Sequence, residues 1–284
     1  MTDPIRIFVG SAANGEDAES QAVLEYTLRR HASLQLEITW MALSRDPASP
    51  FYSEGPRGWQ TKLWATPFSG LRWALPSLCQ YRGRAIYMDS DVIVRADIAE
   101  LWRQEIPAGA CVLARRRGGW RLCVSLWDCA AAAAQVGAIV PLKHDPLAHG
   151  RLTQKFATDP RLVAPFAGRW NCLDGEDLAL DHPDVKAIHY TSMPHQPHLR
   201  IAMARLAANG RRHWFDGEIR PHWRPDLVAL FEQLLGEAIA AGYLPSNYEP
   251  AEPFGDYAKK SLKAISRSVP AHGRTPRPGL GLNP

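Results

Sequence analysis

The chain has 284 residues, 46% hydrophobic and 22% charged, enough apolar material to bury a sizeable core as one large domain or two small ones. Its formal charge of +4 is carried entirely from Ala251 onward, where Lys259, Lys260, Lys263, Arg267, Arg274 and Arg277 face only Glu252 and Asp256. The neutral remainder argues against sequence-independent nucleic-acid binding, which relies on a basic field, and the longest weakly polar run, Cys129 to Leu142, is too short to span a bilayer.

The first segment, "IRIFVGSAANG", is a short apolar strand feeding small, turn-forming residues, the place where open α/β sheets bind ligands. The preceding residues show no basic stretch followed by a long apolar one, so no secretory signal and a cytoplasmic location are expected. Helical spacing from Glu16 to Arg30 and the alternation of "LQLEITWMAL" give a helix and a second strand. Ser44 to Gly58, rich in proline and glycine, reads as a loop. In "ATPFSGLRWALP", Thr66 is expected to cap a helix with Pro67 in its first turn and Arg72 within it. "RAIYMDSDVIV" is a strand that exits at two aspartates, followed by "RADIAELW", where Asp97 and Glu100 have capping-box spacing.

"ACVLARRR" and "RLCVSLWDC" are further strands, and the alanine run after Asp128 starts a helix. Strands alternating with helices predict an α/β fold with a mainly parallel central sheet. Five cysteines (Cys79, Cys111, Cys123, Cys129, Cys172) without a CxxC pair read as reduced core residues. "RPDLVALFEQLLGEAIAAGYL" is an amphipathic helix with proline near its start and Gly242 near its end. Residues 1–250 form the expected domain, and 251–284 a basic tail, partly helical and disordered from about Pro270. On that tail Ala258, Leu262, Ile265 and Val269 share one helical face, which either lies on anionic lipid or packs on the body.

The chemistry concentrates in "MDSD". Asp89 and Asp91 repel one another unless a divalent cation lies between them, and such a cation can also bridge to phosphate oxygens. The alternative is a turn aspartate and a solvated carboxylate. The surroundings extend the pattern: "IRIFVGSAANG", "FSGLRWALP", "AIYMDSDVIVRADIAELW", "CVSLWDC", "LDGEDL" and "HYTSMPHQPH" occur in that order. Over residues 5 to 200 this succession resembles glycosyltransferase family 8, retaining enzymes of the nucleotide-diphospho-sugar transferase (GT-A, Rossmann-like) fold.

The resemblance implies that Asp89, Asp91 and His189 hold a divalent metal, manganese, a set that suits imidazole with carboxylate. His189 is otherwise a core histidine. It implies that Phe8, Val9, Gly10 and Ala12 line a nucleotide pocket and that Arg72 supplies a cation for the diphosphate. Ser90 either reaches the ribose or completes the turn. Asp174, Glu176 and Asp177 form the acidic cluster near donor sugar and acceptor, Asp177 being the first catalytic choice and Glu176 the second; otherwise "LDGEDL" is a tight acidic turn.

Three departures stand out. Glu176 replaces the family's amide, Gln196 with His195 replaces a phosphate-binding lysine, and Ser125 with Asp128 stands where an asparagine is usual. Ser125 is a candidate for the donor sugar, whereas Asp128 caps the next helix. The implied activity is metal-dependent transfer of a sugar from a nucleoside diphosphate, a UDP-sugar, to a hydroxyl acceptor on a glycan or glycolipid, with retention. One rival is a sugar nucleotidyltransferase, against which "GSAANGEDAES" offers no Lys or Arg. Another is a nucleotide-sugar-binding protein with impaired catalysis.

Overall fold

The structure, a computed structural model, describes residues 3–176 and 179–258. β1 (Ile5–Gly10), α1 (Ala18–His31) and β2 (Leu36–Met41) form a parallel unit, with Ile5 opposite Leu36 and Gly10 opposite Met41. Next come α2 (Leu75–Leu78), β3 (Arg84–Asp89), β4 (Val92–Val94) and α3 (Ala99–Trp102). β5 (Val112–Arg116), β6 (Trp120–Asp128), α4 (Cys129–Val136), α5 (Ile139–His144) and α6 (Ala148–Thr158) follow. β7 (Val163–Pro165), β8 (Cys172–Leu173), β9 (Ala187–His189), α7 (Leu199–Ala208) and α8 (Pro225–Ala240) close the succession.

The main sheet has the order β2-β1-β3-β6-β5-β7, and only β6 runs against the others, so the sheet is mixed but mainly parallel. Strand alternation sends Phe8, Tyr87 and Trp127 to one layer and Ile7, Val9, Ile86, Met88 and Leu126 to the other. A second sheet of β4, β9 and β8 sits beside a third cluster, in which Ala22 and Val23 of α1 share a core with Leu227 and Phe231 of α8. Being buried on both faces, β3 reads as a continuous apolar run rather than an alternation.

Three local expectations are corrected. Thr66 does not cap a helix: the chain turns until Leu71, winds as a 3-10 segment over Leu71–Ala74, and leaves the Thr66 hydroxyl buried without a partner. The Trp64 ring presses against Gly70, where a Cβ would lie 2.2 Å away, and this packing takes precedence over the local capping signal. The capping box at Asp97 is half formed. Asp97 accepts from the Ala99 amide, but Glu100 turns outward to Lys186, 3.1 Å away.

Third, packing on the body does not stop at residue 250. Phe254 is buried in the main core, and the Tyr257 hydroxyl accepts from the Ala13 amide while donating to Glu16. Of the basic helical segment expected over residues 256–269, all but the first three residues lie outside the described residues. Among the described residues, no helix is long and apolar enough to cross a membrane.

Candidate functional site

β3 ends at Asp89 in the main sheet and β4 begins at Val92 in the small one. Asp89, Ser90 and Asp91 are therefore the joint at which the chain changes sheets, at the carboxyl end of a central strand. The small sheet brings the next residue. β4 and β9 pair antiparallel with Val92 opposite His189, which sets the imidazole beside both aspartates.

His189 Nε2 lies 3.1 Å from Asp91 Oδ1 and 4.0 Å from Asp89 Oδ2. Its Nδ1 is 3.0 Å from Oδ1 of the fully buried Asn171. A carbonyl oxygen only accepts, so Nδ1 carries a proton and Nε2 is the atom presented to the carboxylates. Burial alone would lower the His189 pKa, but Asp91 and Cys123 beside it outweigh burial and hold it well above the ordinary imidazole value. Burial is also the leading cause of a raised Asp91 pKa, reinforced by Asp89 and opposed by His189.

Arg72 behaves as a site cation. Its Nη2 lies 3.3 Å from Asp89 Oδ1, its Nε donates to the Ser69 carbonyl, and its guanidinium stands 4.7 Å from the Tyr87 ring centroid. Burial opposes its charge, but Tyr87 and Asp89 outweigh burial and raise its pKa. The Tyr87 hydroxyl donates to the same Asp89 oxygen at 2.7 Å. Gly10 makes room for this arrangement, since a Cβ there would lie 2.5 Å from Tyr87 Oη and 2.9 Å from Phe68.

Two site residues were not visible in the sequence. Cys123, expected to be a core thiol, is half-buried and touches both Arg72 and His189. Its Sγ and ligand atoms of Asp89 and His189 all lie within 4.8 Å of one another. The β3–β6 register, with Met88 opposite Val124, brings it level with Asp89. Asn171, which orients His189, carries no motif at all. Only strand order and register could have revealed either.

The donor set fits a divalent transition metal. Asp89, Cys123 and His189 bring a carboxylate, a thiol and an imidazole nitrogen together, and Asp91, outside that group of three, sets its buried Oδ1 3.1 Å from the same His189 Nε2. Oxygen and nitrogen donors suit manganese, and the thiol adds a softer ligand.

Other expected residues are placed differently. Phe8 is buried in the site-side layer, but Val9 faces the opposite one, so its side chain is turned from the site. Ala12 is buried, and its amide donates to Asp17 at 2.7 Å. Ser90 gives its hydroxyl to Asp17 as well, at 3.2 Å, rather than presenting it outward. Ser125 is fully buried, donating to the Leu122 carbonyl and accepting from Trp127 Nε1. Asp128 caps α4 through the amides of Ala130 and Ala131.

Asp174 is fully buried, accepting from Thr191 at 2.7 Å and lying 3.3 Å from His222 Nε2. Glu176 is held by Arg115 at 2.6 Å, Arg117 at 2.7 Å and Arg169 at 3.9 Å. Gln196 donates to Asp91 Oδ2 at 2.5 Å and to the Tyr190 carbonyl at 2.7 Å. Asp177 lies outside the described residues.

No protein-family model matches the sequence, and neither does any curated protein. Solved structures do match. The glycosyltransferase GlyE of Streptococcus pneumoniae TIGR4 superposes with a TM-score of 0.51 at 14% identity, over 85% of this chain and 64% of that one. The galactosyltransferase LgtC, solved with donor and acceptor sugar analogues, gives 0.47 at 12% identity over 84% of this chain and 100% of its own. The bifunctional glycosyltransferase WbbM gives 0.47 at 14% identity, over 68% of this chain. This chain spans 46% of the WbbM chain, and so less than two thirds of the length of either WbbM or GlyE. The structural neighbours are family 8-type glycosyltransferases, and the architecture shared with GlyE is the GT-A fold.

Proposed function

We propose that the chain is a metal-dependent glycosyltransferase that moves a sugar from a nucleoside diphosphate, a UDP-sugar, to a hydroxyl acceptor with retention. The observation that carries this reading is the convergence of Asp89, Asp91 and His189, with Cys123 and Arg72, at the carboxyl end of β3. Asp89, Asp91 and His189 would hold manganese or another divalent cation, which when bound neutralises charge developing on a leaving diphosphate. Arg72, fixed over Tyr87, adds a preorganised cation that costs no reorganisation as that charge appears. His189 is turned by Asn171 to present Nε2, and Gln196 holds Asp91 by its other oxygen.

A second reading is favoured by one observation. Glu176 and Gln196, which replace the family's donor-side amide and lysine, are committed to three arginines and to Asp91 respectively. A nucleotide-sugar-binding protein with impaired turnover would show this. Manganese-dependent hydrolysis of a panel of UDP-sugars, by wild type and Asp91→Ala, separates the readings. Metal-dependent turnover lost in the variant supports the transferase, and metal-dependent binding without turnover supports the binding protein. Neither binding nor turnover in the wild type would sink both.

A further inference from the structure

Of ten tryptophans, Trp223 alone is exposed, at 48%. The others are buried or half-buried, recovering the apolar burial that an exposed indole forgoes. Yet Trp223 is not loosely held. Its Nε1 donates to the Asp174 carbonyl at 3.2 Å, and its ring stacks on His222 with centroids 4.6 Å apart and planes inclined by 24°. His195 meets it from another direction, 4.7 Å away and tilted by 62°. His222 is itself fixed, with Nε2 3.3 Å from Asp174 and Nδ1 accepting from the Arg224 amide.

These braces tie the ring to the candidate site. The Asp174 amide donates to the His189 carbonyl at 3.1 Å, and the Arg220 amide donates to the Pro194 carbonyl at 2.8 Å. His195 immediately precedes Gln196, whose amide contacts Asp91. The result is a half-exposed indole braced by the buried His222 imidazole and by His195, and linked through Asp174 and Gln196 to the residues around the carboxylates. A large aromatic with few rotatable bonds gives up little entropy when covered, which makes it an efficient contact surface. A pyranose has the complementary form, with a C–H face to cover the indole and a rim of hydroxyls for hydrogen bonds. His195 Nδ1 is engaged with Ser192 at 2.8 Å, so Nε2 is the nitrogen turned from that bond.

We propose that Trp223, braced by His222 and His195, is the acceptor platform, binding a pyranoside terminus by its C–H face. This deepens the glycosyltransferase reading and rests on it, because a sugar-transferring site needs a place for a second sugar.

Saturation-transfer NMR with the full chain tests it, using methyl β-D-galactoside and methyl β-D-glucoside as probes. The wild type should transfer saturation to the C–H protons of one pyranose face. Trp223→Ala should lose it, with affinity down at least about tenfold, whereas Trp223→Phe should keep most of it. Equal saturation in wild type and Trp223→Ala, or none in the wild type with either probe, overturns the proposal. Should the alanine variant fail to fold by circular dichroism, the face-selective pattern in wild type and Trp223→Phe decides, and saturation spread evenly over the sugar counts against it. Manganese-dependent binding of UDP-sugars by the wild type is measured in parallel. If it is absent while the Trp223-dependent saturation stands, the transferase reading falls and the sugar platform remains. If it is present while saturation ignores Trp223, the platform falls alone.

Discussion

Asp89 with Asp91, and Asp174 with Glu176, are two carboxylate pairs that look alike in sequence, yet the structure treats them oppositely. Glu176 sits among Arg115, Arg117 and Arg169, and Asp174 is fully buried between Thr191 and His222. Asp89 and Asp91 instead converge on one histidine, and the Cys123 thiol lies close to Asp89 and that histidine. A carboxylate ringed by arginines is taken up by them, whereas carboxylates that converge with an imidazole and a thiol make up a donor set for a cation. The second acidic segment thus braces the site that the first one forms.

The largest expected effect falls on the converging pair. Asp91→Ala should abolish manganese binding in calorimetry and lower metal-dependent UDP-sugar turnover about a thousandfold. It removes a buried like charge but also the partner of His189, so the metal-free variant should melt only slightly below wild type. A marked loss of stability would show Asp91 to be structural and break the contrast.

Glu176→Ala should do the reverse, leaving three guanidiniums without their carboxylate. Destabilisation of about 2 kcal/mol in urea is expected, below the figure for fully buried pairs because the Arg117 side chain is 51% exposed. Metal affinity in the surviving fold should change little. Asn171→Ala sharpens the comparison at one remove: with His189 unoriented, manganese affinity should fall about tenfold in calorimetry while the metal-free melting temperature falls only modestly. An unchanged affinity would mean that the Nδ1 contact does not set the ligand.

The smallest effect concerns Asp17, which burial above all raises to about 7 from 3.8. A carboxyl whose folded pKa is raised stabilises the fold below 3.8 and loses that contribution as pH rises through about 7. Asp17→Asn, which can still accept from Ala12 and Ser90, should therefore melt higher than wild type, by a few degrees at most. The gap should widen from about pH 4 to about pH 7 and level off above. A gap independent of pH would remove Asp17 from the titrating groups.

Much of the fold was legible because the relevant signals are local. The alternation of "LQLEITWMAL", the proline and glycine around α8 and the acidic cap at Asp128 each act within a few residues, and each holds. Thr66 shows where such signals yield: its cap is lost to the packing of Trp64 on Gly70, a contact between side chain and backbone that no propensity encodes. Tyr257 shows the same for composition, since a stretch that reads as tail docks on the loop after β1.

For the site, the sequence by itself determined that two aspartates leave a buried strand together and that His189 and Arg72 were their candidate partners, because charge in an apolar run is conspicuous without coordinates. Only the tertiary structure decided that Cys123 and Asn171 belong there, that Val9 faces away, that the Ser125 hydroxyl is taken up inside the core, and that Glu176 is ringed by arginines. Those outcomes depend on strand order and register, which bring distant residues level. A side chain's chemistry is written in its own letter, but its partners are set by which strand lies beside it.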